Sequence, residues 1–188
     1  MNAVLAWDIG VKTLSCCALT VEPVHVLHWE CIDVHAARTS KAKPTVREDA
    51  EAVLDCLAGR VDLWQSLPIT AVVIEQQPAG GQNRFSSIRM KIVSHVVHAF
   101  FYGLRRCPVL FVTPSSKLKG IERTESADDA ALRRGGDRRA QAARYRANKA
   151  FAVSRVQDLV GDNSTFSDAK KKDDLSDAFL LGYAYLNT

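Results

Sequence analysis

The hydrophobic positions of the chain form strand-like runs at its beginning. Three segments rich in Val, Leu, Ile, Trp or Cys open the sequence, at Ala3 to Asp8, Thr13 to Thr20 and Val24 to Ile32. Gly10 and Pro23 separate consecutive segments. Because such residues favour turns, the pattern predicts an antiparallel meander of three strands.

Helices and short strands are predicted further along the chain. Apolar residues recur at helical spacing from Val46 to Trp64, and the continuous apolar run Ile69 to Glu75 is typical of a strand buried on both faces. A second helix is predicted from Phe85 to Leu104, followed by a short strand from Val109 to Val112. The last helix, about Lys172 to Leu186, is apolar on nearly every side beyond its first turns, which predicts that it is packed inside the molecule.

A basic stretch interrupts this pattern. From Lys117 to Arg146 large apolar residues are scarce, and arginines surround Gly135 and Gly136. We predict a partly mobile basic insertion at about 121–147, after which helical spacing returns at Ala150. The elements together predict one α/β domain over residues 1–188, with a mixed central sheet of three antiparallel strands and then parallel strands, flanked by helices.

Composition narrows the class of protein. The chain has 188 residues, of which 47% are hydrophobic and 24% charged, so it can bury one sizeable core. No apolar run approaches the roughly 18 residues of a membrane span, and no basic leader is seen, so we expect a soluble, intracellular protein without a membrane partner. The formal net charge of +4 permits a polyanionic partner without requiring one. Five cysteines without CxxC spacing argue against a disulfide framework or a thiolate zinc site.

Acidic residues stand where a buried charge needs a partner. Asp8 ends a run predicted to be a central strand, and Glu75 ends a second buried strand. Asp174 and Asp177 are three residues apart and therefore share one face of the last helix, a face that Asp173 also shares with Asp177. Three or four carboxylates could converge, and spacing alone leaves Asp173 and Asp174 as alternatives.

Converging carboxylates suggest a metal site. They raise one another's pKa unless cations separate them, and oxygen ligands without His or Cys at ligand spacing favour magnesium or manganese. Two ions about 3.5 to 4 Å apart could activate a water and stabilise the leaving oxygen of a phosphodiester. Singly, Asp8 could instead bond the turn at Gly10, and Asp174 could favour the helix dipole. Their joint occurrence favours hydrolytic phosphoryl transfer.

Six segments carry a resemblance to a known family. They are AWDIGVKT (6–13), VVIEQQ (72–77), MKIVSHVVHAFF (90–101), TPSSKLKG (113–120), NKAFAVSRVQDLV (148–160) and KKDDLSDAFLLGYAYL (171–186). In this order, over almost the whole chain, the sequence resembles RuvC-type Holliday junction resolvases of the RNase H-like superfamily, especially their poxviral and fungal mitochondrial branches. The resemblance implies an RNase H-like fold and a magnesium-dependent endonuclease that resolves four-way DNA junctions by paired symmetric nicks.

The resemblance also assigns roles to residues. The family's catalytic acids, which would hold two Mg²⁺ per active site with Mn²⁺ as a substitute, correspond to Asp8, Glu75, Asp174 and Asp177. The resemblance thus selects Asp174 over Asp173. The family's lysines near the scissile phosphate correspond to Lys149 and Lys117, with Lys119 as the alternative to Lys117.

Basic and aromatic residues are candidates for DNA contacts. In bacterial members an aromatic residue after the Glu strand helps to open the junction; Phe85 corresponds to it, and could equally be the first core residue of its helix. The arginine cluster would suit phosphate backbones, or form a solvated charged loop. Lysines at the start of the last helix oppose its dipole, so a phosphate contact would account for them. The candidate DNA-binding residues are Arg84, Phe85, Lys91, Arg133, Arg134, Arg138, Arg139, Lys171 and Lys172.

Other functions stay open on the sequence. The same acids would serve another RNase H-like nuclease, such as an RNA-processing nuclease, an exonuclease or a DEDD transposase domain. A non-catalytic junction-binding module would use the basic stretch without needing the acids. The segment DIGVKT is also similar to the phosphate-binding hairpin of the sugar-kinase and actin-like superfamily, whose folds need two such domains.

A symmetric homodimer is expected from the substrate that the resemblance implies. A four-way junction has two equivalent strands to cut, and a two-fold dimer presents two identical sites. The helix from Phe85 to Leu104 is the candidate interface, because its apolar stripes exceed what one sheet face can cover. The alternative is a wholly buried core helix. The apolar stripes consist of Ile88, Ile92, Val96 and Phe100, and of Val93, Val97 and Phe101.

Overall fold

A computed structural model describes residues 3–77, 84–105, 107–113 and 138–188. The described strands are β1 (Ala3–Ile9), β2 (Thr13–Val21), β3 (Val24–Asp33), β4 (Ile69–Glu75) and β5 (Val109–Val112). The described helices are α1 (Val46–Ala58), α2 (Val61–Ser66), α3 (Arg84–Leu104), α4 (Arg138–Val160), α5 (Ser164–Ser167) and α6 (Lys172–Leu186). None of the described helices is both long and apolar enough to cross a membrane.

The described strands form one mixed sheet in the order β3-β2-β1-β4-β5. β1, β2 and β3 are antiparallel neighbours, whereas β4 runs parallel to β1 and β5 runs parallel to β4. The predicted mixed sheet is therefore confirmed. The central strand is β1, which explains why its residues from Ala3 to Trp7 are all buried.

Alternate side chains of β1 enter two separate cores, because successive strand residues point to opposite faces. Leu5 and Trp7 pack with residues of α1, α2 and α3. Val4 and Ala6 pack on the other face with residues of α4, α5 and α6. We call these the α1/α3 face and the α6 face. Both faces of the sheet are covered, as the continuous apolar pattern of β4 predicts.

Helix α6 lies very close to the sheet. Leu175, Phe179 and Leu181 are buried, which confirms the prediction that this helix is packed inside the molecule. A Cβ atom at Gly182 would lie only 2.5 Å from Leu19 Cδ2 and 3.1 Å from Ala6 Cβ. The glycine therefore permits the close approach of α6 to β1 and β2.

Two predicted segments differ from the structure. The single helix predicted from Val46 to Trp64 is divided at Gly59, which caps α1 through its N–H to Asp55 O. Glycine has a low helix propensity, and the apolar residues beyond it belong to the separate helix α2. The predicted basic insertion is helical from Arg138 onward, because arginine and alanine favour helix even without an apolar stripe. The earlier part of that insertion lies outside the described residues.

Candidate active site

The two strand-end acids are neighbours on the sheet. β1 and β4 pair in parallel up to Trp7 with Ile74, and the next step places Asp8 beside Glu75. Because side chains alternate, Asp8 lies on the α6 face with Ala6, and Glu75 lies on the same face. Both residues are half-buried. This register is compatible with the expectation from the sequence that these acids could converge.

Asp8 and Glu75 begin a row of polar side chains that continues across the antiparallel part of the sheet. Asp8 pairs with Ser15 of β2, and Ser15 pairs with Cys31 of β3. The buried Ser15 hydroxyl donates to Cys31 Sγ at 3.4 Å. Burial raises the pKa of the Cys31 thiol, and the nearby charge of Asp174 raises it further. The row therefore runs from the acids near the ends of β1 and β4 to Cys31, which lies within reach of the Asp174 charge at the start of α6.

Helix α6 begins over this row. Trp29 Nε1 donates to Leu175 O at 3.1 Å and so ties the first turn of α6 to β3. Burial raises the pKa of the Asp174 carboxyl, and the charges of Asp173 and then Asp8 raise it further. Asp174 is therefore close enough to Asp8 for the two charges to interact. Asp177, also half-buried, follows one turn along the same helix.

Asp173 has a different partner from its neighbour Asp174. Its carboxylate accepts a hydrogen bond from Lys149 Nζ of α4. Partial burial would raise the pKa of Asp173, but Lys149 lowers it below the ordinary value. Partial burial likewise opposes ionisation of Lys149, but hydrogen bonds to Asp173 and Tyr145 raise the pKa of this lysine. The pair is therefore ionised on both sides.

A second lysine adjoins Asp174. Lys171 Nζ lies 3.7 Å from Asp174 Oδ2 and donates to Thr13 Oγ1 at 2.5 Å. This bond connects the start of α6 to the start of β2. Lys172, the next residue, lies with its Nζ 5.9 Å from the centre of the Phe166 ring. The two lysines at the helix start therefore have different surroundings, and only Lys171 borders Asp174 among the described contacts.

The donor set of the site suits a hard cation. We call Asp8, Glu75, Asp174 and Asp177 the acidic cluster; it offers carboxylate oxygens, which magnesium and manganese prefer. Like charges at Asp8 and Asp174 repel, and a divalent cation would relieve that repulsion. Within the described ranges, no three His, Cys, Asp or Glu side chains are already arranged as a metal-holding group. The carboxylate oxygens of the acidic cluster therefore fit such a cation chemically.

Several predicted DNA-binding residues lie elsewhere or outside the description. Lys91 is on α3, which packs on the face of the sheet opposite α6. Lys117, Lys119, Arg133 and Arg134 lie outside the described residues. The backbones of four others are described within α3 or α4, but their side chains are not, so their roles stay predictions. These four are Arg84, Phe85, Arg138 and Arg139.

Some members of the site were not predicted from the sequence. Ser15, Cys31 and Thr13 lie at it through the register of β2 and β3. Asp173 was an alternative to Asp174 on the sequence, and its contact with Lys149 was not predicted. The signal for Ser15 was present in the sequence, since it is a polar residue inside an otherwise apolar strand. The partners of Asp173 and Lys171 lie in segments distant along the chain. The spacing of apolar residues predicts helices and strands but not such contacts.

Comparisons with known proteins identify the fold. No protein-family model matches the chain, and no curated protein matches it in sequence. RuvC of T. thermophilus, solved in complex with a Holliday junction substrate, matches with a TM-score of 0.64 and 16% identity, over 100% of this chain and 96% of that chain. The yeast mitochondrial Holliday junction resolvase matches with a TM-score of 0.61 and 15% identity, over 98% of this chain and 78% of the other.

A viral structure gives a similar result. The fowlpox virus resolvase, solved with its substrate Holliday junction DNA, matches with a TM-score of 0.56 and 17% identity, over 98% of this chain and 97% of that chain. The chain therefore has the RNase H-like fold of RuvC-type resolvases, in agreement with the resemblance found in the sequence. At these identities the likeness establishes the fold, and the chemistry must be argued from the site.

Proposed function

We propose that the protein is a structure-specific DNA endonuclease that resolves four-way junctions by paired symmetric nicks. The observation that carries the proposal is the acidic cluster. Asp8 and Glu75 lie side by side near the ends of adjacent parallel strands, and Asp174 in the first turn of α6 is close enough to Asp8 for their charges to interact. A fold shared along nearly the whole chain with three junction resolvases supports this choice of substrate among nucleic acids.

The acidic cluster would hold two magnesium ions, with manganese as a substitute. Bound divalent ions supply Lewis-acid stabilisation of charge at a phosphodiester and make a water more acidic. Asp8 and Glu75 are fixed by the sheet, whereas Asp174 and Asp177 are fixed by the packed helix α6, so the four carboxylates are oriented by rigid elements. Rigid support of this kind is what accurate positioning of a reacting phosphate requires.

Basic residues around the acidic cluster would contact the DNA. Lys149 borders the cluster through Asp173, and Lys171 borders it through Asp174. We propose that both lysines contact phosphates near the scissile bond, with Lys117 as a further candidate from the sequence. The candidate arginines of the basic stretch would bind the junction arms, with affinity that falls as salt rises.

We propose that the protein acts as a homodimer. Val93, Val97 and Phe101 of α3 are fully buried, so that stripe belongs to the core rather than to an interface. Ile88, at 46% exposure, and Tyr102 remain accessible on α3. The exposed Phe111 of β5 lies on the same face of the sheet as α3, since its partner Ile74 belongs to the core on that face. His98 stacks on both Tyr102 and Phe111, which makes this face a continuous aromatic surface. A two-fold contact there would present two sites to the two equivalent strands of a junction.

A cleavage assay tests the proposed function. Purified protein is incubated with a labelled four-way junction or the matched linear duplex, with and without magnesium. We expect paired nicks in the junction only, and only with the metal present. Equal cleavage of linear duplex or RNA would instead indicate another nuclease of this fold, and binding without cleavage would indicate a junction-binding module. Light scattering checks the dimer, since one chain has a mass of 20.7 kDa.

A further inference from the structure

Two adjacent acids at the start of α6 are directed to different partners. Successive residues of a helix are about 100° apart around its axis, so Asp173 and Asp174 cannot face the same neighbour. Asp174 interacts with Asp8 of the sheet, whereas Asp173 accepts a hydrogen bond from Lys149 of α4. This division of contacts leaves Asp173 outside the acidic cluster, although spacing alone allows it to replace Asp174.

The Lys149 side chain is restrained on several sides. Its side chain is only 30% exposed, and its Nζ lies 5.2 Å from the centre of the Tyr145 ring, one helical turn earlier. The backbone that carries it is fixed because Ala152 and Val156 of α4 are buried in the core shared with α6. Lysine side chains are normally flexible, so an ammonium held by an aromatic ring and a carboxylate is positioned rather than merely solvated.

A groove borders this lysine. It has a volume of about 570 Å³ between α4 and the start of α6, and Lys149 and Asp173 form part of its wall together with Ser154, Gln157 and Lys172. The groove is open to solvent and adjoins the acidic cluster through Asp173. A phosphate placed in the groove could therefore reach the Lys149 ammonium without displacing the helices.

We propose that Asp173 is a positioning residue, whose carboxylate holds the Lys149 ammonium at the edge of the acidic cluster for contact with a substrate phosphate. The inference rests on the proposed nuclease function. It assigns Asp173 a role distinct from metal binding and from a simple helix-dipole effect. A dipole effect would change helix stability alone, whereas positioning requires that the loss of Asp173 act through Lys149.

The test is a double-mutant cycle with Asp173→Asn, Lys149→Ala and the combined variant. Single-turnover cleavage of a four-way junction is measured with magnesium, and junction affinity is measured without it. We expect each single variant to lower the cleavage rate about 10- to 100-fold with nearly unchanged affinity, because misplacing a catalytic group has effects of this size. The double variant should be no slower than Lys149→Ala alone, since both changes remove one interaction. Asp173→Glu, which retains a carboxylate, should restore part of the rate.

A second measurement does not depend on cleavage. Acylation of lysines by acetic anhydride, quantified by mass spectrometry, should be slow at Lys149 relative to Lys172, and several-fold faster at Lys149 in Asp173→Asn. Asp168→Asn, which removes an exposed carboxylate just before α6, is the matched control and should leave Lys149 labelling and cleavage unchanged.

The outcomes separate this inference from the proposed function. Independent rate losses in the cycle, or Lys149 labelling that does not respond to Asp173→Asn, would overturn the positioning role while junction cleavage by the wild type stands. A wild type that cleaves no nucleic acid, with Lys149 labelling still dependent on Asp173, would overturn the proposed function and leave the contact between the two side chains established.

Discussion

Each face of the sheet is covered by a helix that carries a buried or partly buried carboxylate, Asp49 of α1 and Asp174 of α6, but the charges around these two carboxylates differ. On the α1/α3 face, Asp49 is 1% exposed, accepts a hydrogen bond from Arg89 Nε at 2.6 Å and lies 3.0 Å from His35 Nε2. On the α6 face, Asp174 is 26% exposed and has like charges at Asp173 and Asp8. One carboxylate is enclosed by basic partners, and the other is partly open among acids.

This difference is the one expected between a structural charge and the charge of the proposed site. A buried carboxylate is tolerated when close cationic partners and hydrogen bonds replace the lost water, as Arg89 and His35 do for Asp49. Arg89 also donates to Pro44 O at 3.1 Å, so the network joins α1, α3 and the segment before α1. Asp174 instead has Lys171 at 3.7 Å on one side and repulsion on the other. Such an arrangement suits a site that recruits a cation from solution.

The largest expected effect is the loss of cleavage when an acid on the α6 face is substituted. Asp174→Asn should lower junction cleavage by about 10³-fold or more, because one oxygen donor for the proposed ions is lost. Stability should not fall, since the substitution removes a charge that its neighbours repel. The measurements are single-turnover cleavage and thermal unfolding. Asp8→Asn, Glu75→Gln and Asp177→Asn should behave alike in cleavage, and full activity of purified Asp174→Asn or Glu75→Gln would refute the proposed site.

The reverse result is expected on the α1/α3 face. Asp49→Asn should lower the free energy of unfolding by about 3 to 5 kcal/mol, because Arg89 is left as a buried charge without its carboxylate. Cleavage per folded molecule should stay near the wild-type value. Urea unfolding gives the free energy, and Glu51→Gln on the same helix is the control. Its side chain is 60% exposed, so it should change stability by less than about 0.5 kcal/mol. A loss at Asp49 no greater than at Glu51 would contradict this interpretation.

Substitution of one glycine in α6 and one in α3 compares how closely these two helices approach their neighbours. Gly182→Ala in α6 should destabilise the protein by about 1 to 3 kcal/mol, because the new methyl group would overlap Leu19 and crowd Ala6. Gly103→Ala in α3 has open space around it and should stabilise by up to about 1 kcal/mol through helix propensity. Thermal unfolding of both variants checks the signs. Equal effects of the two substitutions would show that α6 does not approach the sheet as closely as described.

Much of the fold could be predicted from the sequence because its signals are local. The strand Ile69–Glu75 and the helix Lys172–Leu186 have the predicted boundaries, since each is bounded by a change from apolar to polar residues. Alternation along β1 and β4 places Asp8 and Glu75 on one face. The break at Gly59 was missed, because the apolar spacing of α1 continues by coincidence into α2.

Pairing between distant segments could not be predicted in the same way. Asp49 and Arg89 are 40 residues apart, and Lys149 and Asp173 are 24 apart. Which acid meets which cation depends on helix rotation and on the register of packing. For this reason the sequence prediction of Asp174 over Asp173 rests on the family resemblance. In the folded chain the two acids have different neighbours, Lys149 for Asp173 and Asp8 for Asp174.

The smallest expected effect concerns a third carboxylate, Glu30 of β3. The nearby His28, whose Nε2 lies 3.4 Å from Glu30 Oε2, and hydrogen bonds from Arg60 lower the pKa of Glu30 from 4.5 to about 2, against the opposing effect of partial burial. Arg60 donates to it from Nη2 at 2.7 Å and from Nε at 3.1 Å. A lowered pKa means that the ionised form stabilises the folded state above pH 4.5, and that this contribution is lost as the pH falls towards 2. The Arg60 and Glu30 side chains are 30% and 29% exposed, and solvent screening limits the contribution to about 1 kcal/mol.

Glu30→Gln should therefore lower stability at neutral pH by about 1 kcal/mol and flatten its decline between pH 4.5 and 2. Urea unfolding at a series of pH values measures both quantities. Glu22→Gln, in the exposed turn between β2 and β3, is the control and should leave the decline unchanged. Because Glu30 is paired with cations as Asp49 is, but is more exposed, its effect should fall well below that of Asp49. A Glu30→Gln protein with the same acid dependence as the wild type would show that the pairing with Arg60 contributes nothing to folding.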